Sequence, residues 1–264
     1  TIAAYISSNL FDYLDGPVRL VTAQDCRVAY GEDGDNICLP QQEKIIELLR
    51  TDDLGQIFAT LRQWPPQKLL NPLFSGICSA DETVRWHAVA AMGQTVAALA
   101  DQDMEAARVV MRRFMWSLND ESGGIGWGIP EAMGEVLAMH QGLAAEYTHI
   151  LVAFMREDGF YLEYEPLQRG LMWGVGRLAQ VEAELLHAKQ AAVYLLPYLD
   201  SPDAAVRGLA ARALGELRAS EAVSRLEGLR TDREAVRFYQ REMDALQTAT
   251  VGELAGEALI ALKD

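Results

Sequence analysis

Apolar and small residues recur along most of this chain in a register that a helix gathers onto one face. Four segments share it: Val84 to Gly93, Ile125 to Gly134, Leu167 to Gly176 and Val206 to Gly215. With the first residue of each counted as position 0, positions 0, 4, 7 and 8 are apolar or small in every copy. At 3.6 residues per turn these positions form one stripe, which predicts a helix with a single buried face. Position 7 is always Ala or Gly, and position 9 is glycine in all four, at spacings of 41, 42 and 39 residues. A fifth copy, Val251 to Ile260, ends in isoleucine instead. Glycine inside a helix costs about 0.5 to 1 kcal/mol relative to alanine, so its return at one register predicts a close approach by a neighbouring helix.

A second amphipathic stretch and a turn precede each of the first four copies. The stretches are Leu69 to Cys78, Ala107 to Leu118, Tyr147 to Met155 and Ala191 to Leu199. In the turns, Asp81, Asp120 and Asp203 have the carboxylates that accept from the first N–H groups of a helix, and Pro202 suits a helix's first turn. The unit is helix, turn, helix. The run Asp200 to Leu217 resembles a bacterial HEAT repeat of the phycocyanobilin-lyase-like kind. The resemblance implies an all-α fold, a right-handed α-solenoid superhelix of stacked hairpins, because one such hairpin cannot bury its apolar stripe alone. Residues 51–264 are expected to form about five repeats, after an N-terminal cap segment of mixed helix and short strand at 1–50. Near the C-terminus, Ala235 to Gln240 and Leu246 to Val251 are β-prone runs around the polar Arg241 to Asp244. They predict a small β-hairpin inserted in the last repeat near 235–251, expected to cap the open end of the core.

The first fifty residues do not follow the repeat. Phe11 to Thr22, Asp25, Tyr30 and Leu39 to Ile45 are similar to the C-terminal tail of the β subunit of thiamine-diphosphate-dependent 2-oxo acid dehydrogenases. That family's catalytic and cofactor-binding motifs lie outside the tail and have no counterpart here, so the resemblance implies no dehydrogenase activity. Residue by residue, Val18 to Thr22 predicts a short strand, and Leu39 to Leu49 a helix started by Pro40. A cap and a relic of a fused subunit both fit.

Charge narrows the choice of partner. The 264 residues hold 23 Lys and Arg against 38 Asp and Glu, a formal charge of -15, so the summed field repels phosphate backbones and anionic lipid. Neither a nucleic acid nor a membrane is expected as partner. No run approaches the roughly 20 apolar residues of a membrane span, and Thr1 to Leu14 shows no basic stretch before an apolar one, so no secretory signal is expected. Cys26, Cys38 and Cys78 are odd in number and form no CxxC pair, which fits free thiols in a reducing cytoplasm.

Candidate chemistry is sparse. His87, His140, His149 and His187 show no i, i+4 pair and no HExxH, so no metal or cofactor is expected. His87 with Glu131 and Glu135 forms the best residual constellation, that of a HEAT-type enzyme or enzyme-maturation factor, bilin-lyase-like or metal-dependent; solvated polar residues are the plainer account. The glycine-rich run Asn119 to Glu131 lacks the Gly-Lys-Ser/Thr ending of a phosphate loop, and reads as a close-packed turn. The free face of the second helices says more. Position 2 holds Trp86, Trp127 and Arg169, and position 6 holds Glu131, Trp173 and Arg212. In HEAT-type solenoids this helix lines the concave face, and Trp and Arg are enriched at interface hot spots. The expectation is a non-enzymatic cytoplasmic scaffold or adaptor that grips a protein or peptide partner through these six side chains.

Overall fold

The computed structural model describes residues 42–119 and 126–263. The dehydrogenase-like stretch as far as residue 41, the strand expected at Val18 to Thr22, Cys26, Cys38 and residues 120–125 of the glycine-rich turn, Asp120 among them, lie outside them. Twelve α-helices and one β-hairpin make up the described chain. Two short helices, α1 (Gln42–Leu49) and α2 (Leu54–Leu61), pack against the first helical hairpin, α3 (Pro66–Ile77) and α4 (Glu82–Gln102). Then follow α5 (Met104–Leu118) with α6 (Ile129–Met139), α7 (Gln141–Ala153) with α8 (Glu165–Ala188), and α9 (Ala191–Leu195) with α10 (Ala204–Glu216). Last come α11 (Val223–Leu229) and α12 (Val251–Ala261), with β1 (Ala235–Gln240) and β2 (Ala245–Thr250) inserted between them. No helix among the described residues is long and apolar enough to cross a membrane.

The second helices α4, α6, α8, α10 and α12 stack in sequence order as one layer, and the first helices form the other. The apolar stripe dictates this. Val84, Ala88, Ala91 and Met92 of α4, and Val206, Ala210, Ala213 and Leu214 of α10, are fully buried, and the matching residues of the other second helices line the same continuous core. Gly93, Gly134 and Gly215 fall where the second helices come closest, whereas an added Cβ at Gly176 would meet Ala213 at an ordinary 3.5 Å, so the expected close approach does not hold there. A Cβ added to Gly93 would lie 2.6 Å from the Glu135 side chain, and one added to Gly215 would lie 2.7 Å from the Ala258 backbone. At Gly134 an added Cβ would overlap the backbone of Gly174 outright.

Helix starts follow the expected chemistry. Asp81 accepts from the N–H groups of Thr83 and Val84, Asp203 accepts from that of Val206, and Thr250 with Glu253 forms a reciprocal capping box. Pro202 sits before the capping residue Asp203, two residues short of the first turn that begins at Ala204, which corrects its expected place. Gly93 and Gly176 do not end their helices. α4 runs on to Gln102, and α8 runs to Ala188 through a kink at Glu182 (φ -131°, ψ 48°).

The hairpin forms with Ala235 opposite Thr250 and Gln240 opposite Ala245. Its place is the main correction to the sequence reading. It does not simply close the end of the core; it lies across the free face of the second helices. Val236 meets Gly208 of α10, the Tyr239 ring stacks on Trp86 of α4 with centroids 4.9 Å apart, and Arg241 reaches Glu135 of α6.

Candidate functional site

Beside the hairpin, the N-terminal ends of α4, α6, α8 and α10 enclose a cavity of about 660 Å³. Its walls include Trp86, Trp127, Glu131, Arg169 and Trp173, five of the six side chains singled out from the repeat. They meet because the second helices stack in register, so positions 2 and 6 of successive copies fall on one surface. Trp127 precedes α6 and is 40% exposed, with its ring edge-on to Tyr164 at 5.8 Å. The next residue, Gly128, caps α6 at φ 70°, with the Ile77 carbonyl where a Cβ would stand, so only glycine suits this turn.

Trp86 and Trp173 are less open than a bare groove would make them, at 7% and 6% exposure, because Tyr239 covers them. Trp173 Nε1 donates to the Tyr239 carbonyl at 2.7 Å. Trp86 Nε1 and Arg85 Nε are buried with no hydrogen-bond partner among the described residues. Arg212 lies under the hairpin instead of in the cavity, its guanidinium 5.1 Å from the Phe238 ring centroid and 3.9 Å from Glu242.

Three carboxylates line the cavity, and two are neutralised in place. Glu82 contacts Arg85 at 3.4 Å and Arg237 of β1 at 2.6 Å. Asp203 accepts two bonds from Arg169 Nε at 3.0 and 3.1 Å. Burial alone would raise the Asp203 carboxyl, but Arg169 and the amides of Val206 and Ala205 hold it below its usual range. Glu131 has no side-chain partner among the described residues. It packs against Gly170, where any Cβ would overlap its carboxyl. Burial pushes its pKa up to about 7, against smaller opposing contributions from its own backbone N–H and from the charge of Arg85.

The catalytic alternative disperses. Glu135 is fully buried, not solvated, with Oε2 bonded to Arg177 and Oε1 to Arg241, each at 2.8 Å. His87 is also buried: Nδ1 faces the Leu49 carbonyl at 2.8 Å, and Nε2 faces Asp244 of the hairpin loop at 3.2 Å. His87, Glu131 and Glu135 are thus engaged in three separate sets of contacts, and no group of three or more His, Cys, Asp or Glu among the described residues is placed to hold a metal ion.

Sequence reasoning missed Arg237, Phe238 and Tyr239 as part of this region. The alternation of β1 announces a strand with two faces, but nothing local says that one face meets helices more than a hundred residues earlier.

Residues 165–217 match the family model described as HEAT-like repeat. No curated protein matches the chain in sequence. Among solved structures, one engineered protein is 17% identical with a TM-score of 0.50, covering 84% of this chain and 98% of its own. A designed armadillo repeat protein in complex with the peptide (KR)4 matches at 19% identity and a TM-score of 0.47, covering 84% and 99% of the two chains. A computationally designed armadillo repeat protein for modular peptide recognition matches at 20% identity and 0.45, with coverage of 84% and 99%.

Proposed function

Starting from a chain that is a helical solenoid of HEAT-like repeats, we propose that it is a protein-interaction scaffold which grips a protein or peptide partner on the free face of its second helices. The observation that carries this reading is the cavity itself: side chains from four successive repeats converge on one opening, with the Trp127 ring exposed and Glu131 without an ion-pair partner among the described residues. Tryptophan and arginine side chains gathered at one recess are the residue types that concentrate binding energy at interfaces. Trp86, Trp127, Glu131, Arg169 and Trp173 form the contact set, and Arg212 contributes through the hairpin it supports. The formal charge of -15 favours a protein partner over nucleic acid, and a cytoplasmic location accords with free thiols such as Cys78.

The test is affinity capture from a native extract with the intact chain, comparing wild type, Trp127→Ala and Val193→Ala. Val193 is exposed on α9, in the opposite layer. A partner held by wild type and Val193→Ala, and lost from a Trp127→Ala chain of unchanged helicity, supports the groove. Equal capture by all three overturns it.

A further inference from the structure

The hairpin covers the free face of the second helices, but among the described residues no strand pairs with the outer edge of β1. In an antiparallel pair, alternate residues turn their backbone N–H and C=O towards the partner strand, and those between turn them away. Val251 N–H donates to the Glu234 carbonyl at 3.0 Å, and Glu234 stands opposite Val251 in the continued register. The even-numbered residues of β1 therefore bond to β2, and Ala235, Arg237 and Tyr239 face outward. Tyr239 bears this out, since its carbonyl accepts from Trp173 Nε1. Ala235 and Arg237 are exposed, and both line the cavity that holds Glu131. A sheet edge with free backbone groups is a template for another strand, and here it borders a recess with tryptophan walls.

Glu131 specifies what should enter that recess. The other two lining carboxylates are paired with guanidinium groups; Glu131 has no ion pair among the described residues, only the more distant charge of Arg85, which does not offset the burial that disfavours its bare charge. A cation delivered beside it would meet a carboxylate and aromatic side chains together, the combination that best replaces water around an ammonium or guanidinium group.

We propose that an extended segment of a protein partner adds to the open edge of β1 as a third strand, bonding to the backbone of Ala235 and Arg237, and sends a lysine or arginine side chain into the cavity to pair with Glu131. This rests on the scaffold reading above and gives it a binding mode. The acidic balance of the whole chain draws a basic segment towards it, and strand addition takes its affinity from main-chain bonds and its selectivity from one pocketed side chain.

The probes are fluorescein-labelled heptapeptides of alternating threonine and valine with lysine, norleucine or glutamate at the centre, titrated against the intact chain by fluorescence anisotropy. The lysine peptide is then N-methylated on alternate amides in each of the two registers. Expected are tighter binding of the lysine peptide than of the norleucine peptide by about tenfold or more, loss of that preference in Glu131→Gln, and abolition of binding by methylation in one register only. Slowed amide exchange at Ala235 and Arg237 in the complex should accompany this. Equal binding of the lysine and norleucine peptides, equal tolerance of both methylated registers, or no binding by any of them overturns the proposal. Ala235→Pro, which removes an outward N–H without touching the bonds to β2, separates the two readings. A cellular partner that needs Trp127 but still binds Ala235→Pro refutes strand addition alone. The absence of any Trp127-dependent partner refutes the groove.

Discussion

At the scale of single residues, the two glutamates four positions apart on α6 show how neighbours decide what a carboxylate does. Glu135 has no solvent exposure, yet Arg177 and Arg241 hold one oxygen each, so its charge is satisfied inside the protein. Glu131 has no such partner, and burial pushes its pKa up to about 7. A carboxyl whose folded pKa lies above its unfolded value binds its proton more tightly in the folded state. It therefore takes stability away as pH rises from the unfolded pKa near 4.3 through the folded one. Urea denaturation of wild type and Glu131→Gln at pH 5 and pH 8 should show the variant gaining on the wild type by on the order of 2 kcal/mol between the two. A gap that does not change with pH would mean that Glu131 is solvated or paired after all. Arg241→Ala, which strips one of the two cations from Glu135, should cost about 2 to 3 kcal/mol, less than breaking an isolated buried pair because Arg177 remains. Arg241→Lys should recover only part of this, since one ammonium does not reproduce the planar guanidinium.

At the scale of elements, the interlocking of second helices depends on where side chains are missing. Gly134 and Gly174 meet backbone to backbone, so Gly134→Ala forces α6 away from α8 and should cost more than about 3 kcal/mol or prevent folding. Gly256 lies in α12 with no atom of the described residues near its Cβ position, and Gly256→Ala should stabilise by about 0.5 to 1 kcal/mol through helix propensity alone. Thermal melts of the two variants provide the comparison; similar shifts would refute the close-packed ladder. This level was the most legible in the sequence. The stripe at positions 0, 4, 7 and 8, the recurring glycine, and the capping aspartates Asp81 and Asp203 act within one helix or one helix pair, where spacing along the chain translates directly into spacing in space. The two β-prone runs also paired as expected, because their loop is short. The destination of the hairpin was not legible. Arg241 and Glu135 are 106 residues apart, and Trp173 and Tyr239 are 66 apart, so no periodicity joins them. For the same reason, the position rule gathered five of the six chosen side chains at one cavity but misjudged their exposure: Trp86 and Trp173 belong to the free face of their own helices and are buried by an element from another repeat.

At the scale of the whole molecule, the hairpin changes the topology of contacts. In a plain repeat stack each unit touches only its neighbours, stability is a sum of local terms, and unfolding can begin at one end and spread. Here an insertion in the last repeat touches the first: Tyr239 lies on Trp86, Asp244 on His87, Arg237 on Glu82, and the Arg241 guanidinium stands 5.6 Å from the Phe58 ring centroid in α2. Among the described residues, the strap ties helices that are otherwise linked through three intervening repeats, so the ends cannot fray without breaking it. Tyr239→Ala removes the stacking on Trp86 and the weaker contact with Trp173 while leaving the β1 backbone able to accept from Trp173 Nε1, so it should weaken the strap more than it harms any single repeat. The expected result is not only lower stability, by about 3 kcal/mol for a buried aromatic cut back to alanine, but a change in the form of unfolding. Wild type should give coincident urea transitions by far-ultraviolet circular dichroism and by tryptophan fluorescence. The variant should give separated transitions and a smaller dependence on denaturant, as the first and last repeats unfold apart. Coincident transitions with an unchanged slope in Tyr239→Ala would show that neighbour contacts alone hold the solenoid together, and that the hairpin rests on the face without tying its ends.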